Sequence, residues 1–127
     1  MKAPILFATL LIIAFVACSS SPGGLKLPAY STVQVGEYIL SDIEIEEMRE
    51  IFSSLKQSSY EFIEKPDLQI RGFRNANDSH PDLYSIFLAE GFIFVGDYFE
   101  AWANSFKGQK SACYVLNREA KEFLESF

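Results

Sequence analysis

The greater part of this chain is predicted to be a single small α+β domain, an antiparallel sheet of four to five strands packed by two helices. Three observations predict it. Ile45, Met48, Phe52 and Leu55 recur at helical spacing just after a serine start signal. Short apolar runs broken by Gly, Pro and Asn connections fill the chain up to residue 116. A second helical stripe, Ala120, Phe123, Leu124 and Phe127, closes it.

Residues 30–40 read as a strand through Val33, Val35, Tyr38, Ile39 and Leu40, with Gly36 marking a bulge. Ser41 and Glu44 form a capping box, in which the serine oxygen accepts a free backbone N–H and the glutamate reaches back. Acids crowd the first turns of that helix, where the helix dipole favours negative charge. Its end is expected near Ser58 and Ser59, before a short strand at 60–63. Residues 67–74 form a further strand broken at Gly72, and 75–82 a polar loop. Residues 83–89 and 92–95 are apolar at nearly every position. They read as a central hairpin covered on both faces, with Gly91 at positive φ. Residues 96–106 fit two patterns. Asp97 could cap a short helix showing Tyr98, Trp102 and Phe106, but the reading preferred is a strand or irregular extension that Lys107-Gly108 turns into a strand at 110–116. Asn117 is the expected N-cap of the terminal helix.

Composition narrows the function classes. The chain carries 11 basic and 17 acidic residues, a net charge of −6. Nucleic-acid binding is disfavoured, because phosphates must be neutralised by Lys and Arg. Anionic headgroups would repel such a surface as well. Twelve Phe and six Tyr against one Trp predict a core built on phenylalanine.

The N-terminus carries an address. Lys2 precedes an apolar run from Ala3 to Ala17, then Cys18 and three serines. A charged start, an apolar segment and a small-residue processing site make an export signal. The run is shorter than the roughly 20 residues of a spanning helix. Phe15-Val16-Ala17-Cys18 resembles the lipobox of bacterial lipoproteins, with Phe15 where leucine is usual. The resemblance covers this segment alone. It implies removal of 1–17 as a signal peptide and lipidation of Cys18 by diacylglyceryl and N-acyl (palmitate-type) chains. It also implies a cell-envelope address, at the outer membrane facing the periplasm where the cell has two membranes, since Ser19 follows the cysteine. Ordinary secretion with a cut after Ser19, and an uncleaved anchor, are the alternatives. Residues 18–29, rich in Ser, Gly and Pro, read as a flexible lipid-anchored tether, and 30–127 as the globular α+β domain. Loss of Lys2 takes the net charge to −7.

Few residues suggest catalysis, and no cofactor is expected. With Cys18 lipidated, Cys113 has no disulfide partner, and its apolar surroundings suit a buried small side chain. A thiol nucleophile would need a base, and His80 is the only histidine. The loop Asn75 to Asp82 departs from a calcium loop, with His80 at the glycine position and Ile86 at the bidentate acid. It lacks a second ligand at zinc spacing, so no metal site is expected. Glu90, Asp97 and Glu100 beside Phe94, Tyr98 and Trp102 resemble a sugar cleft only in composition. The reading is therefore a lipid-anchored, non-enzymatic envelope protein with a binding or structural role and a protein partner. The alternatives are a membrane-tethered inhibitor or immunity-like protein that captures a basic toxin or hydrolase, and a small envelope hydrolase. The candidate partner-binding residues are Asp42, Glu46, Glu47 and Glu50 on the first helix, with Tyr98 and Trp102.

Overall fold

The computed structural model describes residues 24–127, so residues 1–17, expected to be a signal peptide, and Cys18, expected to be lipidated, lie outside the described residues. It is a small α+β domain with one antiparallel sheet. Seven strands build that sheet rather than four to five, and three helices pack on it rather than two, among the described residues. In chain order these are β1 (Thr32–Val35), β2 (Tyr38–Ile39), α1 (Asp42–Phe52), β3 (Lys56–Tyr60), β4 (Leu68–Phe73), β5 (Asp82–Phe87), β6 (Phe92–Val95), α2 (Tyr98–Phe106), β7 (Ser111–Val115) and α3 (Arg118–Glu125). The sheet order is β2-β1-β4-β5-β6-β7-β3.

The extra strands and helix correct four expectations. Residues 30–40 are not one bulged strand. They fold back at Gly36 into the β1–β2 hairpin, with Val35 opposite Tyr38. The first helix stops at Phe52, and 56–60 pairs with β7 from Lys56↔Val115 to Tyr60↔Ser111. β3 is therefore an edge strand, where a lysine and polar side chains are tolerated because Lys56 to Ser59 are exposed on both faces. Residues 98–106 are helical, with Asp97 as N-cap accepting from the Phe99 N–H at 3.1 Å. Residues 24–29 are not tether. Leu25 and Leu27 are buried, and the Gly24 and Leu25 N–H groups donate to the carbonyls of Leu55 and Phe52.

Other features match the sequence. The capping box of α1 is formed, with the Ser41 N–H donating to Glu44 Oε1 at 2.8 Å. That bond draws the Glu44 carboxyl below its ordinary pKa. Asn117 caps α3 by accepting from the Ala120 N–H at 2.8 Å. β5 and β6 form a hairpin closed at Gly91, whose φ is 86°.

Side chains of β5 and β6 are buried on both sides, so the core has two layers. Tyr84, Ile86 and Ile93 join Val33, Val35 and Ile70 under α1 and α3. Phe87 and Phe94 face the other way, with Cys113 of β7, Phe62 and Ala101 of α2. Phe62 stacks within 4.5 Å of Phe87 between ring centroids. α1 connects β2 to β3, the two edges of the sheet, over the first face. α2 connects β6 to β7 over the second.

Tyr30 locks the N-terminal segment onto this sheet. Its ring lies on Gly72, where a Cβ would come within 2.4 Å of it. Its hydroxyl donates to Asp82 Oδ2 at 2.7 Å and also meets the Tyr84 hydroxyl. Arg74 pairs with the same carboxylate at 2.9 Å. The Tyr30 hydrogen bond and the guanidinium hold the Asp82 carboxyl below its usual range, while burial pushes both tyrosines up.

Two stability predictions follow from this packing. Gly72→Ala must displace the Tyr30 ring and is expected to cost about 1–3 kcal/mol in urea unfolding. Gly91→Ala meets only the Lys121 side chain, at 3.7 Å, and its cost of about 1–2 kcal/mol comes from positive φ alone. Asp82 gives an acid limb. Its contribution is whole well above the ordinary value of 3.8 and is lost as pH falls through the lowered value. Wild-type urea midpoints should therefore drop below about pH 4. Asp82→Asn should start lower at neutral pH and lose less on acidification.

Candidate functional site

Three surface features carry the candidate residues: a groove, a helix ledge and an acidic stripe. The groove exists because the second face of the sheet is only half covered. Phe62 and α2 sit over β5–β7 and leave the β1–β4 side open. Residues there alternate polar outward, since Leu68 and Ile70 take the buried face and leave Gln69 and Arg71 on the other. The resulting groove encloses about 1020 Å³. Gln69, Arg71 and Leu83 come from the sheet, and Tyr98, Phe99 and Trp102 from α2.

The ledge is the outer face of α2. Its buried residue is Ala101. Phe99, Trp102 and Phe106 are 67%, 36% and 72% exposed, and they touch in sequence, with centroids 6.4 Å and 4.5 Å apart. Tyr98, in contrast, turns toward the core and sits 6.2 Å from Phe87. Of the two aromatic candidates, Trp102 is therefore the surface residue and Tyr98 a half-buried support. Sequence reasoning missed Phe99. A helical reading of 98–106 would have placed it three residues before Trp102 on the same face.

The acidic stripe is the outer face of α1. Asp42, Glu46, Glu47 and Glu50 are all exposed, as positions four apart require once Ile45, Met48 and Phe52 face the sheet. Glu46 pairs with Arg49 at 3.0 Å. Among the described residues, no ion pair or side-chain hydrogen bond engages the carboxylates of Asp42, Glu47 or Glu50. Ile43, also missed, lies among them at 80% exposure. The acidic stripe and Trp102 are not brought together, because α1 and α2 lie on opposite faces of the sheet.

The residues considered for catalysis do not converge. Cys113 is 2% exposed and packs in the phenylalanine layer. Burial pushes its thiol up to about 11, away from the thiolate a nucleophile needs. His80 is exposed in the loop joining β4 to β5, and β6 separates β5 from β7. Two strand spacings, about 10 Å, therefore separate β7 from the strand that follows the His80 loop. The 75–82 loop is held by its own side chains, with Asn75 accepting from the Asn77 N–H and Asp78 from the His80 N–H. No group of three or more His, Cys, Asp or Glu able to hold a metal occurs among the described residues. None of the described helices is long and apolar enough to cross a membrane.

Comparison with known proteins finds no matching family model, no matching curated protein and no matching solved structure.

The Cys113 environment makes a direct prediction. In a Cys18→Ser chain, the native thiol should react with a disulfide reagent at neutral pH on the order of 100-fold more slowly than free cysteine. Unfolding in urea should restore the ordinary rate.

Proposed function

We propose that this chain is a lipid-anchored, non-enzymatic binding protein of a bacterial cell envelope. Acyl chains on Cys18 hold it at the membrane, and the acidic face of α1 meets a protein partner. The observation that supports this reading is the group of unengaged carboxylates, Asp42, Glu47 and Glu50, around exposed Ile43. An apolar centre whose rim is mainly acidic, with Arg49 already paired to Glu46, suits a basic partner, since charge steers encounter and an apolar anchor slows release. The net charge of −7 after processing acts in the same direction.

A narrower reading is capture of a basic toxin or hydrolase by a membrane-tethered inhibitor or immunity-like protein. The same unengaged carboxylates favour it, because inhibition requires only that one basic surface be covered. It differs in outcome: the captured partner would be an enzyme that loses activity on binding.

Two measurements test the proposal. The intact mass of the protein from the membrane fraction should correspond to a start at Cys18 plus acyl chains. A start at Ser20 without lipid would sink the anchored reading. Cross-linking in intact envelopes should then trap a basic protein with the wild type. The triple variant Asp42→Asn, Glu47→Gln, Glu50→Gln should lose about tenfold in yield, the equivalent of about 1.4 kcal/mol. An unchanged yield would remove α1 as the contact surface.

A further inference from the structure

We propose that α2 is a membrane-contacting helix, which lays Phe99, Trp102 and Phe106 into the interfacial layer of the bilayer that anchors the chain. The inference rests on the lipid anchor of the preceding reading and adds to it a second, non-covalent contact. It concerns the face of the domain opposite to the acidic stripe.

The first argument is the helix itself. Three large aromatic side chains share its outer face at positions 99, 102 and 106 and are exposed together. An apolar outer face of this kind is the signature of a helix lying in a membrane interface, and tryptophan prefers that layer. The acids of the helix itself do not share the face of the three rings, and Glu37 and Asp67, which line the groove beside Phe99 and Trp102, come from outside α2. Glu100 turns to the other side, toward Gly96 and Phe94. Asp97 is used as the N-cap. Lys107 and Lys110 follow the helix directly, where they would meet headgroup phosphates.

The second argument is where the anchor joins the domain. β6 and β7 pair only at Phe92↔Val115 and Ile93↔Tyr114 and then part. The cleft left between them is lined by Leu25 on one side and by Glu100 and Asn104 of α2 on the other. The described chain begins on the α1 side of the sheet, where the Gly24 and Leu25 N–H groups donate to Leu55 and Phe52, and Leu25 reaches the cleft that α2 lines from the other side. Cys18 lies six residues before Gly24, so a fully extended connection spans at most roughly 20 Å. An acylated Cys18 therefore keeps Gly24 within about 20 Å of the bilayer, and the rings of α2 and the charge on α1 decide which face turns down.

The third argument is charge. The exposed carboxylates of α1 lie beyond the sheet from α2. With α2 down, they point away from anionic headgroups; the reverse orientation would press them against the membrane.

Trp102 is the only tryptophan in the chain, which makes it the reporter. The full chain is reconstituted into phosphatidylcholine–phosphatidylethanolamine vesicles whose acyl chains carry bromine at a shallow depth. Trp102 emission should shift to the blue and lose roughly half its intensity relative to unbrominated vesicles, as for a ring about 5–10 Å into the interface. The variant Phe99→Ser, Phe106→Ser keeps the reporter and changes only exposed side chains, and it should abolish both effects. If the chain floats with the vesicles but Trp102 emits as in water, the anchor stands and the α2 proposal is overturned. Protection of Trp102 that requires an added envelope protein and not lipid also overturns it. The acyl mass at Cys18, read on the same sample, tests the anchor separately. In a chain without that mass, quenching at saturating lipid still supports the α2 contact, and its absence overturns it.

Discussion

Burial of β5 and β6 on both faces is the constraint on which the rest of the fold depends. From Tyr84 to Phe87 and at Ile93 and Phe94 the side chains are buried in both directions and all but Ser85 are apolar or aromatic, so neither face of this part of the hairpin tolerates water. One side is closed by α1, α3 and the segment carrying Leu25, Leu27 and Tyr30. The other must be closed by what remains, which is Phe62 and α2. A nine-residue helix and one phenylalanine cannot span seven strands. The sheet responds by turning polar on its β1–β4 side, where Gln34, Gln69 and Arg71 replace apolar residues. The groove is the direct result of this incomplete second layer.

Elements whose pattern is set by burial could be read from the sequence. The central hairpin, the capped α1 and the terminal α3 each show an apolar face that must be hidden, and each exists where it was expected, although α1 ends at Phe52, short of the expected end near Ser58. The errors fall where burial does not write the pattern. β3 is Lys-Gln-Ser-Ser-Tyr, with no apolar alternation, because an edge strand is held by backbone pairing to β7. Leu25 and Leu27 sit in a Gly/Pro-rich stretch that resembles a linker, yet their burial depends on Phe52 and Leu55, distant in sequence. α2 misled in the opposite sense. Its aromatic stripe has helical spacing but faces outward, so neither period gained support from a hidden face. For the candidate site, the acidic stripe was legible because a helix face follows from spacing alone. The ledge was half legible: Trp102 was named, while Phe99 required the helix to be known.

The two helices that carry surface features are segregated by the sheet. α1 exposes acids around Ile43, and α2 exposes aromatic rings followed by lysines. The segregation comes from topology. α1 joins the two sheet edges across one face, while α2 joins β6 to β7 across the other. Substitutions on one face are thus separated by a packed sheet from the other, and their effects on binding should add independently.

The exposed surface of these three aromatic side chains, most of it on Phe99 and Phe106, contributes nothing to the stability of the isolated domain, since it remains in water. A contiguous apolar ledge on a small acidic domain is therefore best accounted for by a surface outside the molecule. An acyl anchor changes what such a ledge needs to achieve. A single acyl chain binds a bilayer only marginally, and stable attachment takes a second signal. Conversely, a two-turn helix with three rings binds weakly from free solution. With the domain beginning six residues after an acylated Cys18, α2 would meet the bilayer at the high effective concentration set by that short link. Each contact then needs to be strong only in the presence of the other. On this proposal a second contact would do what an acyl chain alone cannot: it would fix which face of the domain points away from the membrane, and so present the acidic face of α1 outward.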